Sequence, residues 1–153
     1  MFDLQFSPDL GAGSELAALK RLLSKARVQR WAGHALAFAH EADQITIRVV
    51  GEAEGRVLNR SYRGKAKNYA TNVLTFEYSS QPFVAADIVL CAPVIAREAL
   101  EQNKTLEAHW AHLIIHGILH AQGYDHETNE RDALVMEALE VLLVQSLGYA
   151  NPY

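Results

Sequence analysis

A helical stretch that ends in closely spaced histidines constrains this sequence more than any other feature. Apolar residues recur three or four positions apart over 106–122, at Leu106, Trp110, Leu113, Ile114, Ile118 and Ala121. That spacing is the period of an α-helix with an apolar face. The fold must therefore bury one side of a helix that carries His116 and His120 one turn apart.

The histidines of this stretch have the spacing of a metal site. His116 and His120 are four residues apart, so both imidazoles project from the same side of the helix. Gly123 follows the helix, and a glycine there can adopt the left-handed conformation that reverses the chain and returns His126 towards the other two. Three protein ligands and an open fourth position are typical of catalytic zinc, whereas structural zinc is normally closed by four. We therefore predict one Zn²⁺ ion held by three histidines.

Neighbouring residues have more than one possible role. His112 lies one turn before the first predicted ligand, and we assign it either to the surroundings of the metal or to packing. Asp125 adjoins the third ligand, where a carboxylate can orient an imidazole, carry a proton or cap the turn. His109 is expected to be a solvated neighbour, and His34 and His40 are expected on the surface.

Length and composition indicate the class of molecule. With 153 residues, half of them apolar, the chain is long enough to bury a core, and we expect 1–153 to form a single domain. No apolar run approaches the roughly 18 to 20 residues of a membrane span, and the first residues do not resemble a signal peptide. We therefore expect a cytoplasmic protein that does not contact a membrane. The single cysteine, Cys91, is expected to be buried and inert.

The formal net charge of −4 hides a local excess of positive charge. Between residues 55 and 76 there is no acidic residue, and the basic residues are Arg56, Arg60, Arg63, Lys65 and Lys67. A second basic group lies within 20–30. Such segments can attract phosphates or can be solvated helix faces, and the counts alone favour neither interpretation.

Periodicity along the rest of the chain predicts both strands and helices. Strands are predicted over 2–6, 45–50, 73–78 and 87–91, and helices over 14–36 with a bend near Gly33, 52–62, 93–102 and 129–147. The last helix is expected to supply a core face and nothing more. Because the elements do not alternate as βαβ units, we predict an α+β fold. It has a single small mixed sheet of about four strands covered by helices, with the metal site at the end of a long helix.

The histidine stretch occurs together with three upstream segments. The stretch reads His-Gly-Ile-Leu-His-Ala-Gln-Gly-Tyr-Asp-His at 116–126. The upstream segments are Leu-Asn-Arg-Ser-Tyr-Arg-Gly-Lys at 58–65, Thr-Asn-Val-Leu-Thr-Phe at 71–76 and Asp-Ile-Val at 87–89. Taken in the order in which they occur along the chain, the four segments resemble the YbeY family of bacterial ribosomal-RNA maturation nucleases.

The resemblance implies a single-strand-specific, metal-dependent endoribonuclease. Such an enzyme matures and quality-checks ribosomal RNA, notably the 3′ end of the 16S RNA. Its implied partners are single-stranded RNA, ribosomal RNA and the small ribosomal subunit, and we expect it to be a monomer. The resemblance also implies His116, His120 and His126 as the metal ligands and singles out Arg63 as the functional arginine.

The predicted groups supply what RNA cleavage requires. A three-histidine zinc ion can lower the pKa of water from about 15.7 to about 7, so no side-chain base is needed. Arg63 can hold a phosphate with its planar fork of donors. Arg60, Lys65 and Lys67 are predicted to bind the RNA strand through weaker, screened attraction.

Two other functions fit parts of the pattern. The spacing His-x-x-x-His-x-x-Gly-x-x-His also occurs in metzincin-like metallopeptidases, which carry a glutamate as general base directly after the first histidine. This chain has Gly117 there. The second alternative is a non-catalytic ribosome-assembly factor with a structural metal, for which four ligands would be usual.

Overall fold

A mixed sheet forms the centre of the molecule, whose computed structural model describes residues 1–64, 68–125 and 129–153. The four strands are β1 (Phe2–Phe6), β2 (Gln44–Val50), β3 (Val73–Ser79) and β4 (Ala85–Cys91). They lie in the order β1-β2-β4-β3. The pairs β1–β2 and β2–β4 are parallel, and β3 pairs antiparallel with β4.

Six α-helices accompany the sheet within those ranges. They are α1 (Ser14–Leu22), α2 (Lys25–Ala35), α3 (Glu52–Arg63), α4 (Ala92–Glu101), α5 (Leu106–Ala121) and α6 (Glu130–Ser146). The predicted α+β fold with a small mixed sheet is therefore confirmed. None of the helices in the described ranges has the length and apolar character needed to cross a bilayer.

The helix predicted over 14–36 is in fact two helices, and the break does not lie at Gly33. The side chain of Ser24 caps α2 by accepting a hydrogen bond from the Arg27 backbone N–H at 3.3 Å. A serine in this position satisfies one of the donors that the first helical turn leaves open. Gly33 lies inside α2, and α1 begins at Ser14.

Helix α5 lies at the heart of the core. It contacts α2, α4, α6 and strands β3 and β4. Its residues Trp110, Ile114 and Ile118 are almost completely buried, as their helical spacing predicted. Burial of one such large side chain stabilises the fold by about 1.5–3 kcal/mol. The histidines of α5 are therefore mounted on a helix that the core holds firmly.

Gly117 sets how closely α5 approaches the sheet. A Cβ atom at this position would lie 2.7 Å from Cγ2 of Ile88, a fully buried residue of β4. Non-bonded carbon atoms pack at about 3.5–4.0 Å, so a larger residue fits only if the helix, the strand or the Ile88 side chain shifts. The glycine is required by packing.

We expect Gly117→Ala to destabilise the protein. Overpacking a core typically costs about 1–3 kcal/mol, and the better helix propensity of alanine offsets up to about 1 kcal/mol of it. Urea unfolding should show a net loss of about 1–2 kcal/mol in the free energy of unfolding.

Gly33→Ala is the matched control for this prediction. Gly33 is also inside a helix, but a Cβ there would meet no atom within 4 Å. The variant should be as stable as the wild type or more stable by up to about 1 kcal/mol. Equal stabilisation by both substitutions would contradict the close approach of α5 to β4.

Candidate functional site

A cleft of about 450 Å³ lies between the end of α3, strand β3 and helix α5. Four of the predicted site residues line it: Arg63, His116, His120 and Asp125. They come from segments far apart in the sequence, and the sheet and α5 bring them together.

His116 and His120 lie on successive turns of α5, with ring centroids 6.2 Å apart. Each Nδ1 atom contacts a carboxylate. His116 Nδ1 contacts Oε1 of Glu140 on α6, and His120 Nδ1 lies 2.9 Å from Oε1 of Glu77 on β3. When Nδ1 donates its hydrogen to a carboxylate, the lone pair needed for metal binding is on Nε2. This donor arrangement fits a metal that prefers neutral imidazole.

The third predicted ligand, His126, lies outside the described residues, as do Lys65 and Lys67. Among the residues that are described, no three histidine, cysteine, aspartate or glutamate side chains form a metal-binding group. The turn predicted after α5 is confirmed, because Gly123 has a φ of 99° in the left-handed region. Coordination by three histidines stays a prediction.

Glu140 is a buried carboxylate behind His116, with only 1% of its surface exposed. Its second oxygen accepts a hydrogen bond from the Tyr153 hydroxyl. His112 Nε2 lies 3.5 Å from that oxygen, which is longer than a well-formed hydrogen bond. Burial raises the pKa of Glu140, but contacts with the two histidines and the tyrosine outweigh it and hold the pKa well below its ordinary value. These contacts favour the ionised form of the carboxylate.

The expectation that the last helix supplies only a core face is wrong. Met136 and Val144 are buried one turn before and after Glu140, so the carboxylate lies within the apolar stripe of α6. An acidic residue in the middle of such a stripe was the signal that sequence reasoning overlooked. Leu142, also on α6, is 64% exposed.

The prediction that His109 is solvated is also wrong. The residue is 2% exposed, and its Nε2 lies 3.0 Å from Oε1 of Glu98. Burial lowers the pKa of His109, although the Glu98 carboxylate acts in the opposite direction. The lowered pKa favours a neutral ring. Glu98 also accepts from the side-chain amide of Asn72, a residue of the cleft wall. The prediction failed because α5 is enclosed by three helices as well as the sheet.

Arg63 is the last residue of α3, and it lines the same cleft as the two histidines. Arg60, one turn earlier, is exposed and does not line the cleft. Tyr62 lines the cleft beside Arg63, and its ring packs edge-on against Phe76 with centroids 4.7 Å apart. Of the basic residues that are described between 55 and 76, Arg63 is thus the one placed at the histidines.

Position 117 faces away from the cleft. Its Cβ direction leads to Ile88 in the sheet, whereas His116 and His120 line the cleft. A glutamate at 117 would enter the core and could not activate water beside the histidines. The general base of a metzincin protease therefore has no place at this position of α5.

A family model and individual relatives of this chain carry the same description. Residues 17–148 match the family model described as Endoribonuclease YbeY. An Endoribonuclease YbeY from Polaromonas sp. (strain JS666) is 61% identical over 150 residues, which cover 98% of this chain and 92% of the relative. One from Polaromonas naphthalenivorans is 54% identical and covers 98% of this chain and 96% of the relative.

A solved structure shows the same fold. The solution structure of TM1509 from Thermotoga maritima is similar to this chain with a TM-score of 0.61 and 26% sequence identity. The match covers 96% of this chain and 89% of that one. Together with the family model and the two relatives, it agrees with the resemblance of the four sequence segments. The chain belongs to the YbeY endoribonuclease family.

Proposed function

We propose that this protein is a zinc-dependent endoribonuclease that cuts single-stranded RNA during ribosomal-RNA maturation. The observation that carries the proposal is the meeting of Arg63 with His116 and His120 in one cleft. RNA as the substrate is supported by the matching family model and relatives, which are named endoribonucleases. The 3′ end of the 16S RNA, ribosome quality control, the small subunit as partner and action as a cytoplasmic monomer belong to the same proposal.

The histidine pair suits a single zinc ion. Zinc favours neutral imidazole nitrogen as a ligand. In both rings Nδ1 contacts a carboxylate, so Nε2 is the nitrogen that would bind the ion. His126 is the proposed third ligand. When bound, zinc supplies positive charge for the phosphate and lowers the pKa of water towards neutrality. That chemistry requires no glutamate next to the first ligand, which agrees with Gly117 facing the sheet.

Arg63 is proposed to hold the phosphate that is cut. Its guanidinium offers parallel N–H donors that match two phosphate oxygens. The negative charge that develops in the transition state is stabilised most by donors that are already in position. Because Arg63 ends α3, its backbone is part of a regular helix that packs against β2 and β4. Arg60, Lys65 and Lys67 are proposed to attract the rest of the strand.

Metal removal tests the proposed function. Purified protein is incubated with a labelled unpaired RNA and with the same RNA in a duplex, before and after treatment with EDTA. We expect cutting of the unpaired RNA only, loss of cutting after chelation and recovery when zinc is added back. Circular dichroism should stay unchanged after chelation, because the core of α5 and the sheet does not depend on the metal.

Three results would contradict this proposal. Undiminished cutting after complete chelation would exclude a catalytic metal. Loss of the fold on chelation would favour the assembly factor with a structural metal. Fragments from unfolded casein, without RNA cutting, would favour the metallopeptidase.

A further inference from the structure

Glu140 and Tyr153 form a chain of contacts that ends at a proposed metal ligand. One carboxylate oxygen of Glu140 contacts His116 Nδ1, and the other accepts from the Tyr153 hydroxyl. We propose that this Tyr153–Glu140–His116 relay holds the His116 ring in the tautomer and orientation that bind the metal. The inference rests on the proposed function and adds two positioning residues to it, neither of which touches the RNA.

The direction of the hydrogen bonds follows from the chemistry of the three groups. Carboxylate oxygens accept hydrogen bonds, and each oxygen of Glu140 contacts one of the two partners, so His116 Nδ1 and the Tyr153 hydroxyl donate. When Nδ1 carries the only ring proton, the lone pair is on Nε2, the nitrogen that can bind a metal. In the opposite tautomer the lone pair of Nδ1 would face a buried negative charge. Glu140 therefore selects one tautomer of His116.

Burial makes this carboxylate a stronger constraint than the one beside the second histidine. The side chain of Glu140 is 1% exposed, whereas that of Glu77, the partner of His120, is 40% exposed. Hydrogen bonds are stronger in the low-dielectric interior, and water weakens those at the surface. The relay should therefore fix His116 more firmly than Glu77 fixes His120.

Contacts that do not involve Glu140 place Tyr153 in the relay. Pro152 is buried, and its carbonyl accepts a hydrogen bond from Lys104 Nζ. The Tyr153 ring packs edge-on against the ring of His112, with centroids 5.3 Å apart. The segment after α6 is thus fastened close to the start of α5, and the hydroxyl is delivered to the buried carboxylate.

Two substitutions probe the relay, and a third is a matched control. Glu140→Gln keeps the shape of the side chain but removes its charge, and Tyr153→Phe removes a single oxygen atom. Tyr149→Phe also removes a hydroxyl that donates to a carboxylate, namely Oε2 of Glu107 at 2.8 Å. Glu107 is nine residues before His116 on α5, which is about 13 Å along the helix.

Zinc affinity and the tautomer of His116 are the two measurements. Loss of a partner of a metal ligand typically weakens metal binding about 10- to 100-fold. In competition with a chromogenic chelator, Glu140→Gln should fall in that range and Tyr153→Phe should lose about tenfold, the lower end of the range. Tyr149→Phe should bind zinc as the wild type does.

The tautomer is measured on metal-free protein with two-bond ¹H–¹⁵N NMR spectra. At a pH at which the His116 ring is neutral, the wild type should carry its single ring proton on Nδ1. Glu140→Gln should give a mixture, because an amide offers the ring either a carbonyl oxygen or an N–H group. Tyr153 is 62% exposed, so we expect Tyr153→Phe to keep the core intact and to decide the question if Glu140→Gln does not fold.

The relay is overturned if Tyr153→Phe binds zinc with wild-type affinity, or if the metal-free wild type carries the His116 proton on Nε2. The NMR measurement uses neither zinc nor RNA, so it separates this inference from the proposed function. A wild type that binds no zinc but has the proton on Nδ1 would contradict the proposed function and still support the hold of Glu140 on His116.

Discussion

His120→Ala is expected to abolish zinc binding and RNA cutting together. The imidazole lines the cleft and would supply one of three ligands to the ion. A catalytic metal contributes several kcal/mol of transition-state stabilisation, and each 1.4 kcal/mol or so corresponds to a factor of ten. We therefore expect cutting to slow by about 10³-fold or more. The measurements are metal content by mass spectrometry and initial cutting rates on unpaired RNA.

His34→Ala is the control for this substitution. His34 is an exposed histidine whose ring contacts the hydroxyl of Ser146, and it does not line the cleft. The variant should retain one zinc ion per chain and the wild-type rate. If His120→Ala also retained its zinc ion and its activity, the ion would have other ligands than those proposed.

Arg63→Ala is expected to slow cutting about 10²- to 10³-fold and to leave zinc binding unchanged. Removing one preorganised donor that stabilises transition-state charge typically has an effect of this size on kcat. Arg63→Lys should recover only part of the rate, because an ammonium group keeps the charge but lacks the planar fork. Initial rates over a range of RNA concentrations give kcat and KM separately.

Arg97→Ala controls for the loss of an exposed positive charge. Arg97 Nη1 lies 3.5 Å from Glu52 Oε2 on the surface, and such exposed pairs contribute about 0–1 kcal/mol to stability. Its kcat should stay within about twofold of the wild type, since it does not line the cleft. Undiminished cutting by Arg63→Ala, with activity lost in His120→Ala, would remove Arg63 from the mechanism and leave the metal in it.

Local elements could be predicted because their signals are local. The apolar spacing of α5 and the alternation of β1 each lie within one short segment, and both elements are present. The break between α1 and α2 was missed because the apolar spacing continues across it. The non-helical backbone of Leu23 marks the end of α1, and the capping hydrogen bond of Ser24 marks the start of α2.

The environment of the histidines could not be predicted in the same way. Glu140 lies 24 residues from His116, and Glu77 lies 43 residues from His120. No periodicity within one element connects such positions, because they are neighbours only after the sheet and helices have packed. Arg63 is a similar case. The spacing of the five basic residues did not distinguish it from the others, and the family resemblance did.

The role of Gly117 becomes clear only in the fold. In the sequence it stands where a metallopeptidase carries its general base, which argues against a peptidase. In the structure it allows α5 to approach Ile88, and that close packing positions the helix that carries His116 and His120. The glycine therefore allows the close packing of the core and leaves no room for a glutamate side chain at position 117.

A zinc titration coupled to RNA cutting tests the central claim most directly. Zinc is added stepwise to metal-free protein, and the initial rate on a labelled unpaired RNA is measured at each step. The rate should rise in proportion to zinc and level off at one ion per chain in the wild type, and it should stay at background in His120→Ala. Full cutting by the metal-free protein, or the same zinc-dependent rise in His120→Ala, would contradict a metal-dependent nuclease built on these histidines.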